Sequence, residues 1–431
     1  MLFRSSGSTR LVQPTPTELA GSQSLAVELD EDQAAVVEMG TAGDVDRYWI
    51  RCLPHDFPVI AATHHDAAVA PSPGWYLVSS TVFAVGASGF AMIVDANGTP
   101  VWYRRSGTGY GVLNVDLLPD GVVSYIALGA TLSPTTPVAY ELHRLEPFDT
   151  RQVGTVGIPT DPHELRQLDN GHFVLLSDVV TAGVDLTGLQ SYGPGSSILN
   201  CAVQEVDDQG TVFWNWMATD HIDTAKESMS PLIVSVDGAD VVDPFHCNSI
   251  DVDKNGDLLV SARHMNSVFL IDKATGALRY KLGGTPENKE GAPYIRIDGD
   301  PQTAFYLQHD ARFLPNGNIS LFDDHGGMPG PARCVEYAID RELGVARVAW
   351  QSLGAANSLA LGSCRRYEDG STLIGWGLVA AGRSFIMSEV DASGNDLLDL
   401  EFTPSGASYR AVKVPMSALD PAVMRKAAAL P

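Results

Sequence analysis

Val252-Asp253-Lys254-Asn255-Gly256, followed by Asp257-Leu258-Leu259-Val260-Ser261 and then by Ile271-Asp272-Lys273-Ala274-Thr275-Gly276, is the stretch that decides the fold. Asp and Asn side chains fold back on their own backbone and Gly accepts positive φ, so each Gly-ending turn marks a hairpin between strands. The first kind of turn recurs at Leu117 to Gly121, Gln167 to Gly171, Phe313 to Gly317 and Tyr367 to Gly370. The second recurs at Val94 to Gly98, Val206 to Gly210 and Val390 to Gly394, with weaker copies near Phe148 and Leu343. Runs such as His172 to Leu176 between them read as buried strands, and no long stretch has helical periodicity. Paired turns at a spacing of roughly fifty residues predict four-stranded blades set radially. One blade per pair, with an opening blade from Trp75 to Tyr103, gives an all-β, six-bladed β-propeller over residues 71–431.

The late segment Ser408 to Val414 has no turn pair of its own and is expected to return to the first blade, closing the ring so that no edge is left open. Ahead of the repeats, residues 21–70 alternate apolar and polar around Leu25 to Val37 and Tyr48 to Leu53, which predicts a small N-terminal β-sandwich-like domain. Residues 1–20 carry no strand pattern and read as a flexible N-terminus.

The 431 residues include 28 basic and 52 acidic ones, a net charge of -24, so nucleic acid and anionic membranes are poor partners and any anion site is a local exception. No apolar run is long enough to span a bilayer, and Met1 to Ala20 lacks the apolar stretch of a secretory signal, so a cytoplasmic location is expected. Cys52, Cys201, Cys247, Cys334 and Cys364 have no CxxC spacing; this odd, scattered set is expected to be reduced thiols.

Several motifs are set aside on context. Gly107-Thr108-Gly109-Tyr110-Gly111 resembles a phosphate-binding loop but leads into strand and turn, not into a helix N-terminus, and there is no Walker-type loop. Asn97-Gly98-Thr99 and Asn318-Ile319-Ser320 are formal glycosylation sequons that the turns already explain. Asp323-Asp324-His325 lacks further ligands at a recognisable spacing and reads as a capped, solvated loop, so no metal is expected.

What remains is a set of polar residues in step with the repeat. His163 and His309 precede their turns at the same offset, His246 and Asn248 precede the Asp253 turn, and Arg263 ends the strand after it. A lone propeller His is ordinarily a core residue bonded to a carbonyl. Three at corresponding positions, with an Arg, point to one central site.

Asp161-Pro162-His163-Glu164-Leu165, Phe245-His246-Cys247-Asn248-Ser249, Ser261-Ala262-Arg263-His264, Leu282-Gly283-Gly284 and Gln308-His309-Asp310-Ala311-Arg312-Phe313 together resemble the bacterial arylsulfate sulfotransferases. So does Tyr48 to Pro58 ahead of the propeller, and the likeness covers nearly the whole chain after about residue 20. The resemblance implies a six-bladed propeller with its site in the central channel. It implies sulfuryl transfer from a phenolic sulfate to a phenol by a ping-pong route, with no cofactor and without 3′-phosphoadenosine-5′-phosphosulfate (PAPS). By motif, His309 is the nucleophile, His163, His246 and Arg263 surround it, and Asn248 and Tyr409 line the substrate site. The partners implied are a small aryl sulfate donor and a phenolic acceptor.

The chemistry matches those residue types. A neutral imidazole nitrogen can attack sulfur, a planar Arg fork suits the sulfuryl oxygens, and flanking histidines can move protons. The better-known members are exported and disulfide-bonded, whereas this chain has neither an export signal nor evident cysteine pairing, which favours a cytoplasmic role such as tailoring a secondary metabolite. The segments 183–197 and 218–243 are expected to shape the channel entrance. Two other readings stay open: another reaction on the same propeller, such as sulfate-ester hydrolysis or conversion of an aromatic metabolite, and a non-catalytic ligand-binding propeller.

Overall fold

The turn chemistry acts as the sequence implies. In the computed structural model of the chain, which describes residues 2–6, 10–11, 27–41, 44–65, 70–81, 88–108, 111–129, 134, 136–379, 385–403 and 406–428, Asp253 Oδ1 accepts from the backbone N–H of Asn255 at 2.7 Å and of Asp257 at 2.9 Å, while Gly256 sits at φ 85°. Asp391 does the same for Ser393 and Asn395 ahead of Gly394 at φ 87°. Tyr110 of the set-aside glycine loop lies outside the described residues.

The chain is all-β, with 51% of it in strands and 6% in helix. Six antiparallel four-stranded units follow one another. The first is Ala411–Pro415, Gly74–Ser80, Ser88–Val94 and Pro100–Thr108; the second is Gly111–Leu117, Val123–Leu128, Tyr140–Leu145 and Phe148–Val153. The third is Leu165–Gln167, Phe173–Val184, Ser196–Val206 and Val212–Met217; the fourth is Cys247–Val252, Leu258–Ala262, Ser267–Ile271 and Leu278–Gly283. The fifth is His309–Phe313, Ile319–Asp323, Arg333–Asp340 and Val345–Leu353; the sixth is Ser363–Arg366, Thr372–Gly375, Phe385–Val390 and Asp396–Thr403. The late strand Ala411–Pro415 pairs with Gly74–Val78, which is the return to the first unit expected from its missing turns.

Strands buried on both faces serve two neighbours at once, because alternate side chains point to opposite sides. Val260 joins the apolar cluster shared with Val203 of the third unit, while Leu259 joins the one shared with Leu321 of the fifth. The same sharing runs through every consecutive pair and ends where it began, with Leu373 and Leu398 of the sixth unit packed on Tyr76 and Met92 of the first.

Two segments outside the repeat differ from expectation. Leu2–Ser6 is a strand within the stretch that reads as flexible, recruited by pairing with Ala34–Thr41, which also pairs with Asp44–Arg51. Val59–His64, read with the N-terminal domain, instead pairs along Asp396–Thr403 and covers the outer edge of the sixth unit.

The cysteine expectation is overturned. Cys201 is bonded to Cys247 and Cys334 to Cys364, leaving Cys52 as the free thiol. Each bond joins consecutive units, across 46 and 30 residues of chain, so packing rather than spacing creates the pairs.

Candidate active site

Each residue of the histidine cluster stands at or just before the start of the first strand of a four-stranded unit. His163 precedes Leu165–Gln167, His246 precedes Cys247–Val252, His309 opens His309–Phe313 and Tyr409 precedes Ala411–Pro415. The register slips between Cys247 and Ser249, and again between His309 and Arg312. His246 at φ 49° and Asp310 at φ 57° adopt left-handed backbone. Such bulges re-aim side chains, and non-glycine residues hold this conformation only where their surroundings enforce it.

Four of the expected residues converge. The His163 ring centroid lies 4.9 Å from that of His246 and 6.2 Å from that of His309, while Tyr409 packs edge-on to His309 at 5.2 Å and stands 6.0 Å from His163. Tyr409 donates its hydroxyl to the His163 carbonyl at 2.9 Å. Asn248 is fully buried, its Nδ2 donating to the Gln308 carbonyl at 2.7 Å and its Oδ1 left without a partner.

The three histidines differ in what holds Nδ1. His163 Nδ1 lies 2.9 Å from Asp161 Oδ1, and His246 Nδ1 lies 2.7 Å from Asp243 Oδ2. His309 Nδ1 instead lies 2.8 Å from the Gly362 carbonyl, an acceptor only, which fixes the proton on Nδ1 and leaves the buried Nε2 bare. Burial holds the His309 imidazole well below the usual histidine range, and the positive Arg410 beside it adds to the effect. Burial likewise pushes His246 down to about 4, although Asp243 opposes it.

Arg263 is buried, but its NH2 is spent on Asp324 Oδ2 at 3.3 Å and the Leu359 carbonyl at 2.7 Å. That places it beside the segment that supplies Gly362 to His309. Asp323-Asp324-His325, expected to be solvated, is buried throughout. Asp323 accepts from Arg333, and burial raises Asp324 to about 7 against the pull of Arg263.

The sequence reading missed a buried charge layer behind the histidines. Arg410 donates to Asn114 Oδ1 at 2.7 Å, Glu164 Oε2 at 3.0 Å and the Asn248 carbonyl at 2.6 Å. Arg312 bridges Glu164 and Asp310, and Arg365 binds both Asp310 oxygens at 2.8 Å. The arginines hold the carboxyl of Asp310 far below the usual carboxylate range in spite of burial. The available signal was position: Glu164 and Asp310 each directly follow a site histidine.

Among the described residues, Asp243, His246 and His264 form one group whose ligand atoms lie within 4.8 Å of one another. His264 Nδ1 is 2.7 Å from the Asp243 carbonyl and His246 Nδ1 is on its carboxylate, so Asp243 orients both rings. A cavity of about 460 Å³ opens onto this side of the cluster, lined by Leu128, Val138, Leu199 and Val234 and by Asp161, His163, Asp178, Asp243 and His246. Segment 218–243 reaches it through Val234, Ser235 and Asp243; segment 183–197 supplies none of its lining residues.

No curated protein matches the chain. Among solved structures, a protein of unknown function from Bacteroides caccae aligns over 80% of this chain and 99% of its own, at 12% identity and a TM-score of 0.49. AztD from Citrobacter koseri aligns over 80% and 98%, at 12% identity and 0.37, and a catalytically inactive virginiamycin B lyase from Staphylococcus aureus over 80% and 89%, at 8% and 0.38. The arylsulfotransferase (ASST) model matches residues 72–410, a span that runs from the first unit through all four converging residues to Arg410, and the chain belongs to the arylsulfotransferase family.

Proposed function

We propose that the protein is a PAPS-independent aryl sulfotransferase that passes a sulfuryl group from a phenolic sulfate to a phenol through His309, and that its six units are the blades of a propeller around this site. The observation that carries the reading is the His309 ring: its proton is pinned on Nδ1, its Nε2 is bare, and it is neutral. A bare, uncharged imidazole nitrogen is a nucleophile ready to use.

In the first half-reaction Nε2 attacks sulfur, the bond from sulfur to the aryl oxygen breaks, and the phenolate leaves. Nδ1 keeps its proton, so the ring carries positive charge beside the bound sulfonate. In the second, the acceptor phenol gives its proton to His163 or His246, its oxygen attacks sulfur, and the Nε2–S bond breaks. The base then returns that proton to solvent or to the next departing phenolate. Asp161 and Asp243 stabilise the imidazolium that forms. Arg263 is assigned to the sulfuryl oxygens in this scheme only through its nitrogens other than NH2, which Asp324 and the Leu359 carbonyl hold. His163 and His246 line the cavity, and the His309 ring stands 6.2 Å from that of His163, centroid to centroid.

The two disulfides are what an oxidising compartment sustains, whereas the sequence reading pointed to the cytoplasm. Counting free thiols in protein taken from its native cells separates the two.

Turnover of 4-nitrophenyl sulfate, with and without added phenol, tests the reaction class. Nitrophenol release that needs both the phenol and His309 supports transfer. Release without acceptor makes the enzyme a hydrolase, and no release from any aryl sulfate overturns the proposal.

A further inference from the structure

The cavity beside the histidines is larger than the reaction requires. A dry pocket of about 150 Å³ accepts a single benzene ring, and this one is about 460 Å³. That places it among sites of about 300–1,000 Å³ that enclose ligands of several rings. Most of its exposed lining is apolar, with Leu128 and Val138 from the second unit and the segment after its second strand, Leu199 from the third and Val234 from the hairpin Leu232–Val236/Ala239–Asp243, while Asp161, Asp178 and Asp243 add carboxylates. On the same hairpin Leu232 and Ile233 remain 54% and 58% exposed.

The hairpin has a second connection to the chemistry. It ends at Asp243, which holds His246 Nδ1, so one element carries both a wall of the cavity and the group that orients a histidine. In a ping-pong exchange the departing and arriving phenols occupy the same place in turn. A wall that favours one size of phenol therefore acts in both half-reactions.

We propose that this cavity is the aryl subsite of the transfer reaction and that it is built for phenols of two to three rings, selected chiefly by Val234 and Val138. The proposal rests on the sulfotransferase reading. Its chemistry is that of the site already described; what it adds is the size class of the substrate and the residues that set it.

The test compares kcat/KM for phenol and for a three-ring hydroxyflavone as acceptors, with 4-nitrophenyl sulfate as donor. It uses wild type, Val234→Trp and Val138→Phe, two half-buried positions where added bulk enters the cavity. Wild type should favour the hydroxyflavone by at least about tenfold, as burial of two more rings implies. Each variant that melts with wild type should cut that preference at least about tenfold. Equal use of both acceptors by wild type, or a preference that neither substitution moves, overturns the proposal. If neither phenol is sulfated, the reaction reading fails, and calorimetric titration with the hydroxyflavone decides the cavity alone. Binding that both variants weaken upholds the subsite, and absence of binding to wild type overturns it.

Discussion

Arg333 and His309 are both buried polar residues in the fifth unit, and they are finished differently. Every guanidinium nitrogen of Arg333 is bonded: Nε to Asp323, NH1 to Asp300 and Gln351, NH2 to Asp300 and Tyr337. His309 has one nitrogen bonded and the other bare. A buried polar group left unpaired costs on the order of 1–3 kcal/mol, so evolution removes such atoms unless they are used. Saturation marks the arginine as structural; His309 combines a bare nitrogen with a place among His163 and Tyr409, and that combination is what the transfer scheme uses.

That contrast breaks most visibly on substitution. His309→Ala should lower transfer by at least about a thousandfold, as removal of a nucleophile does, while the melting temperature stays close to wild type. Arg333→Ala should do the reverse. It strands Asp323 and Asp300 without their cation and should cost about 3–5 kcal/mol in urea unfolding, with activity per folded molecule retained. If the two variants exchange phenotypes, the distinction is wrong.

Asp243→Asn sharpens the comparison within the site. It keeps the shape but removes the charge that would stabilise an imidazolium at His246, so kcat should fall about 10- to 100-fold, with a smaller change in donor KM. A purely structural role would lower stability and leave the pH profile of kcat where it was.

Proton linkage gives a gentler test. His309 and His246 both have folded values below the unfolded one, so between about 6.5 and the folded values the unfolded chain binds more protons. Stability should therefore decline as pH falls below about 6.5 toward 4, and the acid limb of kcat/KM should lie below the ordinary histidine value. An acid limb centred near 6.5 would show that the nucleophile is not held neutral by burial. Smallest of all, Asp324 ionises near 7 and then competes for Arg263. Donor KM should rise a few-fold across neutral pH, roughly the effect of weakening one charge-assisted hydrogen bond, and Asp324→Asn should flatten that rise.

The units of the fold were legible because their turns are local chemistry: an Asp or Asn and a Gly a few residues apart specify each hairpin without help from the rest of the chain. The histidines were legible because they keep step with those turns. The charge layer was not, since Arg410 meets Glu164 across 246 residues and Arg312 meets it across 148. Nor were the disulfides, whose partners lie on different sheets. Asp310 and His246 hide their left-handed backbone behind ordinary side chains, so no Gly signalled the bulges that aim the site.

The claim that His309 Nε2 is the bare nucleophile is tested most directly by trapping the intermediate. Protein exposed to 4-nitrophenyl sulfate without acceptor, then digested and read by mass spectrometry at alkaline pH, should carry one added SO₃ on the peptide containing His309, and a phenol should remove it. An adduct on His163 or His246, or turnover with no adduct on any histidine, would contradict it.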